Sequence, residues 1–252
     1  MFKIILILLS ATILLSSCAT RSSAENSLPA VLTDEASTEN DARSDYIDEI
    51  IFFGESTTYH LKSRGVLSGG RDTKQVWGPR SGTLMLDSTI GECRIVYPDT
   101  NEELSLEDAL KRKQPKAMLL TFGLNGATIF IKRGEEYFDY CYQRLIDLIR
   151  EHSPNTEIII NSCFPIAKNM DMSNYTIDSR TLNSYIDTLN AWAENLAQKN
   201  DIRFINTSVV LKDSSGYLSP TLQAEDGYHL NSEAYKVMLK YLNEKLQDNK
   251  EN

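Results

Sequence analysis

Ile50, Ile51, Phe52 and Phe53 follow one another without a polar residue between them. Successive side chains of a strand point to opposite faces, so an apolar run without alternation belongs to a strand buried on both sides. Ala117 to Phe122 repeats this pattern strongly, as do Glu157 to Asn161 and Ile202 to Ile205; Lys74 to Trp77 is a weaker candidate. Between the runs the apolar spacing changes to three and four. Ser105 can cap a helix with Asp108 three residues on, a variant of the capping box. Phe138, Cys141, Tyr142, Leu145 and Ile149 share one helical face, and so do Leu182, Tyr185, Ile186, Leu189, Ala193 and Leu196. Asn231 reads as the N-cap of a last helix whose apolar face is Ala234, Val237, Met238, Tyr241 and Leu242. Doubly buried strands alternating with amphipathic helices require a parallel sheet covered on both faces. The expected fold is therefore α/β, a three-layer α/β/α sandwich around a central, mostly parallel five-stranded sheet. Ligands bind such sheets at the carboxyl ends of the strands. Gly54-Glu55-Ser56, Gly123-Leu124-Asn125 and Ser162-Cys163-Phe164-Pro165 all fall at those ends, and no internal repeat is visible.

The two ends of the chain look non-globular. Lys3 precedes an apolar run from Ile4 to Leu15, too short for a comfortable transmembrane helix and shaped like a secretory signal. The run ends in Leu15-Ser16-Ser17-Cys18, which resembles the bacterial lipobox; Cys18 would then carry the lipid and become the mature N-terminus. The other reading is an ordinary signal cleaved after Ala19 or Ala24. Up to about Asp45 the sequence is Ser, Thr, Ala, Asn, Asp and Glu, with too little apolar surface to repay ordering. The expected organisation is a leader at 1–17, a flexible tether at 18–46 and one domain at 47–248. A tether of that kind reaches about 30 Å, enough to hold the domain just clear of a membrane. The domain of about 200 residues can build one sizeable core.

The formal charge is −9, and no Lys/Arg-rich run follows the extreme N-terminus, so a nucleic-acid partner is not expected. Beyond Cys18 the cysteines are Cys93, Cys141 and Cys163, an odd number that allows at most one disulfide. Their spacing matches no zinc site, and His60, His152 and His229 form no metal cluster. The three cysteines read as small buried hydrophobes. No metal and no cofactor are expected.

The strand-end segments carry chemistry. A Ser hydroxyl is a poor nucleophile at neutral pH and needs a base, usually His, to take its proton. That base needs a carboxylate on its other nitrogen to fix the tautomer and stabilise the imidazolium. The oxyanion needs pre-aimed N–H donors. Ser56 stands where a strand meets a helix, so its side chain and its N–H can face one site. Asp226 and His229 are three residues apart, on one side of a turn. Asn125 carries an amide NH2 able to donate to an oxyanion.

At these residues the chain resembles the SGNH or GDSL hydrolase superfamily, from about Glu49 to Lys245. The superfamily's first block, Gly-Asp-Ser, appears as Gly54-Glu55-Ser56. Its third, Gly-x-Asn-Asp, appears as Gly123-Leu124-Asn125-Gly126. Its fifth, Asp-x-x-His, appears as Asp226-Gly227-Tyr228-His229. The resemblance implies a flavodoxin-like sheet with Ser56 as nucleophile, His229 as base and Asp226 as its orienting acid. It implies oxyanion donors from the Ser56 N–H, from Asn125 and from a second-block glycine. Gly82 in Arg80-Ser81-Gly82-Thr83 is the first choice for that glycine and Gly78 the second. Two positions depart from the pattern, with Glu55 and Gly126 each standing where an Asp is usual. Both Asp residues support turns, so the changes are expected to alter the loops without removing the chemistry.

Each segment alone has a plainer reading. Gly-x-Ser after a strand is common, and Gly-x-Asn and Asp-Gly are turn signals. Their joint presence, in this order and at strand ends, points to catalysis. His60, four residues after Ser56, suits an exposed or packing role better than a base. His152 suits a helix C-terminus. Arg71, Trp77 and Arg80 can stack on a sugar or pair with anions, and equally can pack and form salt bridges. The polar stretch from Ile166 to Arg180 reads as a variable surface loop, or else as a lid or pocket wall.

Together these readings lead to an expected function. The chain would be an extracytoplasmic serine esterase, lipid-anchored to a bacterial membrane, that removes small acyl groups. The most favoured are acetyl esters of a carbohydrate or cell-wall glycan, a step taken by analogy with exported relatives. A lysophospholipase, a thioesterase or an O-acetyltransferase of the same fold is the alternative within enzymes. A non-catalytic glycan-binding lipoprotein is the alternative outside them. The sequence is silent on oligomeric state.

Overall fold

The computed structural model describes residues 46–87 and 89–248. The expected leader, the lipidation site at Cys18 and all of the tether before Tyr46 lie outside the described residues. The strands are β1 (Ile50–Gly54), β2 (Val76–Trp77), β3 (Arg94–Val96), β4 (Glu103–Ser105), β5 (Ala117–Thr121), β6 (Glu157–Asn161) and β7 (Arg203–Ile205). The helices are α1 (Ser56–Ser63), α2 (Leu106–Lys113), α3 (Ala127–Arg133), α4 (Glu135–His152), α5 (Ser179–Lys199) and α6 (Ser232–Gln247).

A five-stranded sheet runs in the order β2-β1-β5-β6-β7, and each adjacent pair is parallel. This is the sheet the apolar runs require. Ile51 and Phe53 of β1 join Met118 and Leu120 of β5 and Ile158 and Ile160 of β6 in one core, beneath α2, α3, α4 and α5. Ile50 and Phe52 point the other way, with Ala117, Leu119 and Ile159, into a second core beneath α1 and α6. Burying one such large side chain contributes roughly 1.5–3 kcal/mol before ordering entropy is set against it. The helix starts follow the sequence as well. The Ser105 hydroxyl accepts the Asp108 N–H at 3.0 Å, and Asn231 Oδ1 accepts the Ala234 N–H at 3.0 Å.

Two features have no counterpart in the apolar pattern of the sequence. The antiparallel pair β3–β4 stands apart from the main sheet. The short helix α3 follows the Gly123-Leu124-Asn125 segment. β2 is also shorter than the run Lys74 to Trp77. The Gln75 side chain donates to the carbonyls of Ile47 and Ile50, at 2.6 and 3.2 Å, and so braces the entry to β1.

β1 lies between β2, which follows it in the chain, and β5, which comes later. Connections therefore leave β1 in opposite directions, and a crevice opens where they part, at the carboxyl ends of β1 and β5. Gly54-Glu55-Ser56 leaves one of these ends and Gly123-Leu124-Asn125 the other. Among the described residues no helix is long and apolar enough to cross a membrane.

Candidate active site

β1 ends at Gly54 because nothing larger fits. A Cβ there would lie 2.4 Å from the Thr121 carbonyl oxygen and 2.4 Å from the Thr58 hydroxyl. Glu55 is extended, and Ser56 opens α1, its N–H without an acceptor among the described residues. Tyr235 of α6, fully buried, donates its hydroxyl to the Thr57 carbonyl at 2.6 Å and ties α6 to the start of α1.

The loop before α6 brings the other two residues to Ser56. Ser56 Oγ lies 3.0 Å from His229 Nε2, and His229 Nδ1 lies 2.7 Å from Asp226 Oδ2. The other carboxylate oxygen of Asp226 accepts the N–H groups of Tyr228 and His229, each at 2.9 Å. Burial opposes ionisation of Asp226. The hydrogen bonds from the His229 ring and from these two N–H groups outweigh it and hold the carboxyl below its ordinary range. An ionised carboxylate only accepts, so Nδ1 must carry the proton. Nε2 is then the free lone pair and accepts from the Ser56 hydroxyl.

Gly227 lets this loop turn. Its φ is +67°, and a Cβ would sit 3.1 Å from Met170 Cα and 3.2 Å from Ala167 Cβ. The Gly227 carbonyl accepts the Ala167 N–H at 2.8 Å. The start of the stretch from Ile166 to Arg180 is thus a brace under the Asp226–His229 loop, with Ile166 and Ala167 buried.

Glu55 is 2% exposed and spans the crevice. One carboxyl oxygen accepts the Gly123 N–H and the other the Asn125 N–H, each at 2.9 Å. The acid beside Ser56 thereby fixes the backbone that presents Asn125. Burial, opposed by the N–H groups of Asn125, Gly123 and Leu124, pushes the Glu55 carboxyl up to about 8. The other departure, Gly126, has φ +85°, and a Cβ there would lie 3.1 Å from the Met85 sulfur. Met85 takes up space that a side chain at 126 would need.

The expected oxyanion donors differ in availability. The Ser56 N–H is open. Asn125 Nδ2 donates to the Leu84 carbonyl at 2.8 Å and to the Thr83 hydroxyl at 3.1 Å, so both amide protons are engaged. Its Oδ1 accepts the Tyr228 hydroxyl at 2.9 Å. Gly82 must be corrected: its N–H closes a turn onto the Pro79 carbonyl at 2.9 Å and is not offered to a ligand. A Cβ on Gly82 would meet the Tyr59 ring at 3.2 Å, which with φ +75° explains the glycine. The Gly78 N–H has no acceptor among the described residues.

Other expectations divide in the same way. His60 is half-buried on α1, its ring centroid 4.3 Å from that of His229. Burial, then the nearby His229 and Arg64, pushes its pKa down to about 4, so it backs His229 as a neutral ring. Trp77 is buried against Tyr97 and is core, while Arg80 pairs with Glu103 on the surface. Cys93, Cys141 and Cys163 are free thiols. Among the described residues no cluster of His, Cys, Asp and Glu is arranged to hold a metal ion. A cleft of about 700 Å³ opens beside Asn125, walled by Leu84, Met85, Ile90 and Cys93 and carrying Asp87 and Glu92. Sequence reasoning identifies none of the partners of Asn125; for Tyr228 and Glu55, adjacency to His229 and Ser56 is the only signal.

Comparison with known proteins concerns the family and the fold. The family model of the GDSL-like lipase/acylhydrolase family matches residues 52–237. The structure of the native M. smegmatis aryl esterase is similar at 12% identity, covering 79% of this chain and 98% of that one, with a TM-score of 0.51. A Bacteroides fragilis protein described as an acylhydrolase is similar at 18% identity, covering 79% of this chain and 86% of that one, with a TM-score of 0.50. At such identities the likeness concerns the fold alone. No sequence among the curated proteins matches the chain.

Proposed function

The chain belongs to the GDSL-like lipase/acylhydrolase family, and from that premise we propose that it is a serine esterase with Ser56, His229 and Asp226 as its reacting set. The observation that carries this reading is the unbroken hydrogen-bonded line from Asp226 through His229 to Ser56, at 2.7 and 3.0 Å. As Ser56 Oγ attacks the ester carbonyl, its proton passes to His229 Nε2. The imidazolium so formed faces Asp226. The same proton then goes to the departing alcohol oxygen and leaves an acyl-Ser56. Water, deprotonated by His229, attacks that acyl group; the acid departs and Ser56 recovers its proton.

The oxyanion is received by the Ser56 N–H and by Asn125. Asn125 Nδ2 gives up its longer contact, to the neutral Thr83 hydroxyl, for one to a developing negative charge. A charge-assisted hydrogen bond is roughly twice as strong as a neutral one, so the exchange favours the transition state.

The substrate we propose is a small acyl ester, above all an O-acetyl group on a carbohydrate or cell-wall glycan. The cleft beside Asn125 carries Asp87 and Glu92, and among the described residues no Lys or Arg lines it. Such a wall repels phosphate and carboxylate and suits a neutral polyol, which argues against a lysophospholipid. The leader and Cys18 support an extracytoplasmic, lipid-anchored position for this reaction. Rates on aryl esters of increasing acyl length test the preference: acetyl fastest is expected, and a rate rising toward eight carbons would overturn it.

A further inference from the structure

Asn125 is gripped by the chain neighbours of the reacting residues. Glu55, next to Ser56, accepts its backbone N–H at 2.9 Å. Tyr228, next to His229, reaches its side-chain oxygen, also at 2.9 Å. The direction of this second bond is fixed by chemistry. Leu84 presents a carbonyl oxygen 2.8 Å from the other end of the amide, so that end must be the NH2. The end facing Tyr228 is then the amide oxygen, which only accepts, and the Tyr228 hydroxyl must donate. Burial pushes the ionisation of this hydroxyl far up, so it remains a donor over the whole working pH range.

The contact therefore holds one end of the amide from the same loop that carries Asp226 and His229. Tyr228 is partly buried, and its ring lies 5.0 Å from that of His229 in an edge-on arrangement. A hydroxyl at this place does two things. It keeps Oδ1 turned away from the Thr83 side, so that Nδ2 stays turned to Thr83 and Leu84. It also makes the base-carrying loop and the oxyanion donor move as one frame.

We infer that Tyr228 is a positioning residue for the ester reaction, acting through its hydrogen bond to Asn125 to keep the amide NH2 aimed where the oxyanion forms. This rests on the serine esterase reading. Geometric precision of a donor affects the transition state more than ground-state binding.

Tyr228→Phe removes the hydroxyl alone and keeps the ring. Loss of one neutral hydrogen bond on a catalytic donor should lower kcat roughly threefold to tenfold, with KM changed less than about twofold. In an Asn125→Ala background the same substitution should change kcat no further, because the group it positions is gone. The folded protein should also show it directly. The side-chain NH2 resonances of Asn125 should shift and exchange faster with water in Tyr228→Phe, whatever the activity. Full additivity with Asn125→Ala, or unchanged Asn125 NH2 resonances, would overturn the assignment. A wild-type protein whose Ser56 takes no fluorophosphonate would instead sink the esterase reading and leave the resonance result to judge Tyr228 by itself.

Discussion

Glu55 accepts the backbone N–H of Asn125 at 2.9 Å across the crevice between β1 and β5. This bond joins the segment that carries Ser56 to the segment that carries the Asn125 amide. It also assigns work to a residue that the motif alone treats as a support for its own turn. Cutting the side chain back to a methyl group in Glu55→Ala would leave the buried N–H of Gly123 and the part-buried N–H of Asn125 without partners. Each such group costs about 1–3 kcal/mol. Chemical denaturation should show a loss of at least a few kcal/mol, and a change below about 0.5 kcal/mol would mean that Glu55 braces nothing.

The pH dependence of stability follows from the same burial. Burial pushes the Glu55 carboxyl up to about 8, from the ordinary 4.5. A group with a raised folded pKa contributes stability that is complete below its unfolded pKa and is lost as pH rises through the folded one. The contribution of Glu55 should therefore fall away between about pH 4.5 and pH 8. Glu55→Gln cannot ionise and should flatten this slope in melting curves taken across that window, while its NH2, which only donates, gives up one of the two backbone N–H bonds and lowers the curve as a whole.

His60 sets the acid side. Its folded pKa is pushed down to about 4 from 6.5. A group depressed in this way contributes stability above 6.5 and loses it as pH falls toward 4. His60→Phe retains a ring against His229 and cannot protonate, so its melting temperature should fall less than wild type between pH 6.5 and pH 4. An acid limb unchanged in the variant would remove His60 from the explanation.

Asn125→Ala should lower kcat by roughly 10²–10³ if the amide receives the oxyanion. The companion change is Thr83→Val. It frees the amide proton now engaged by the Thr83 hydroxyl, so kcat should hold or rise. A tenfold fall in Thr83→Val would make Thr83 a donor in its own right and demote Asn125.

Gly227→Ala tests the turn that delivers His229. The left-handed backbone and the 3.1 Å approach to Met170 leave no room for a Cβ. A cost of about 1–3 kcal/mol is expected, with a fall in kcat as the loop shifts. Wild-type activity and stability would show that the loop is freer than this packing implies.

Much of the fold and of the site is legible in the amino-acid sequence. Ile50 to Phe53 and Ala117 to Phe122 declare themselves because strands buried on both faces tolerate no polar alternation. Ser105 and Asn231 declare helix starts because their side chains satisfy the first free N–H groups. Ser56, Asp226 and His229 are readable because chemistry fixes their types and a tight turn fixes the spacing of the last two. β3 and β4 are not readable: each is three residues long, and Arg94 and Glu103 face solvent, so no burial pattern marks them. Gly82 misleads because a glycine written in sequence does not say where its N–H points; here it points at Pro79. Tyr228 escapes a sequence reading because its partner lies 103 residues away, beyond the reach of any local pattern.

The central claim is that Ser56 is a nucleophile activated by His229. Treating the purified protein with a fluorophosphonate probe and mapping the adduct by mass spectrometry tests it most directly. The account predicts one adduct, on Ser56, that disappears in His229→Ala while the protein stays folded. A folded wild-type protein that takes no label at Ser56, or takes it equally well without His229, would contradict it.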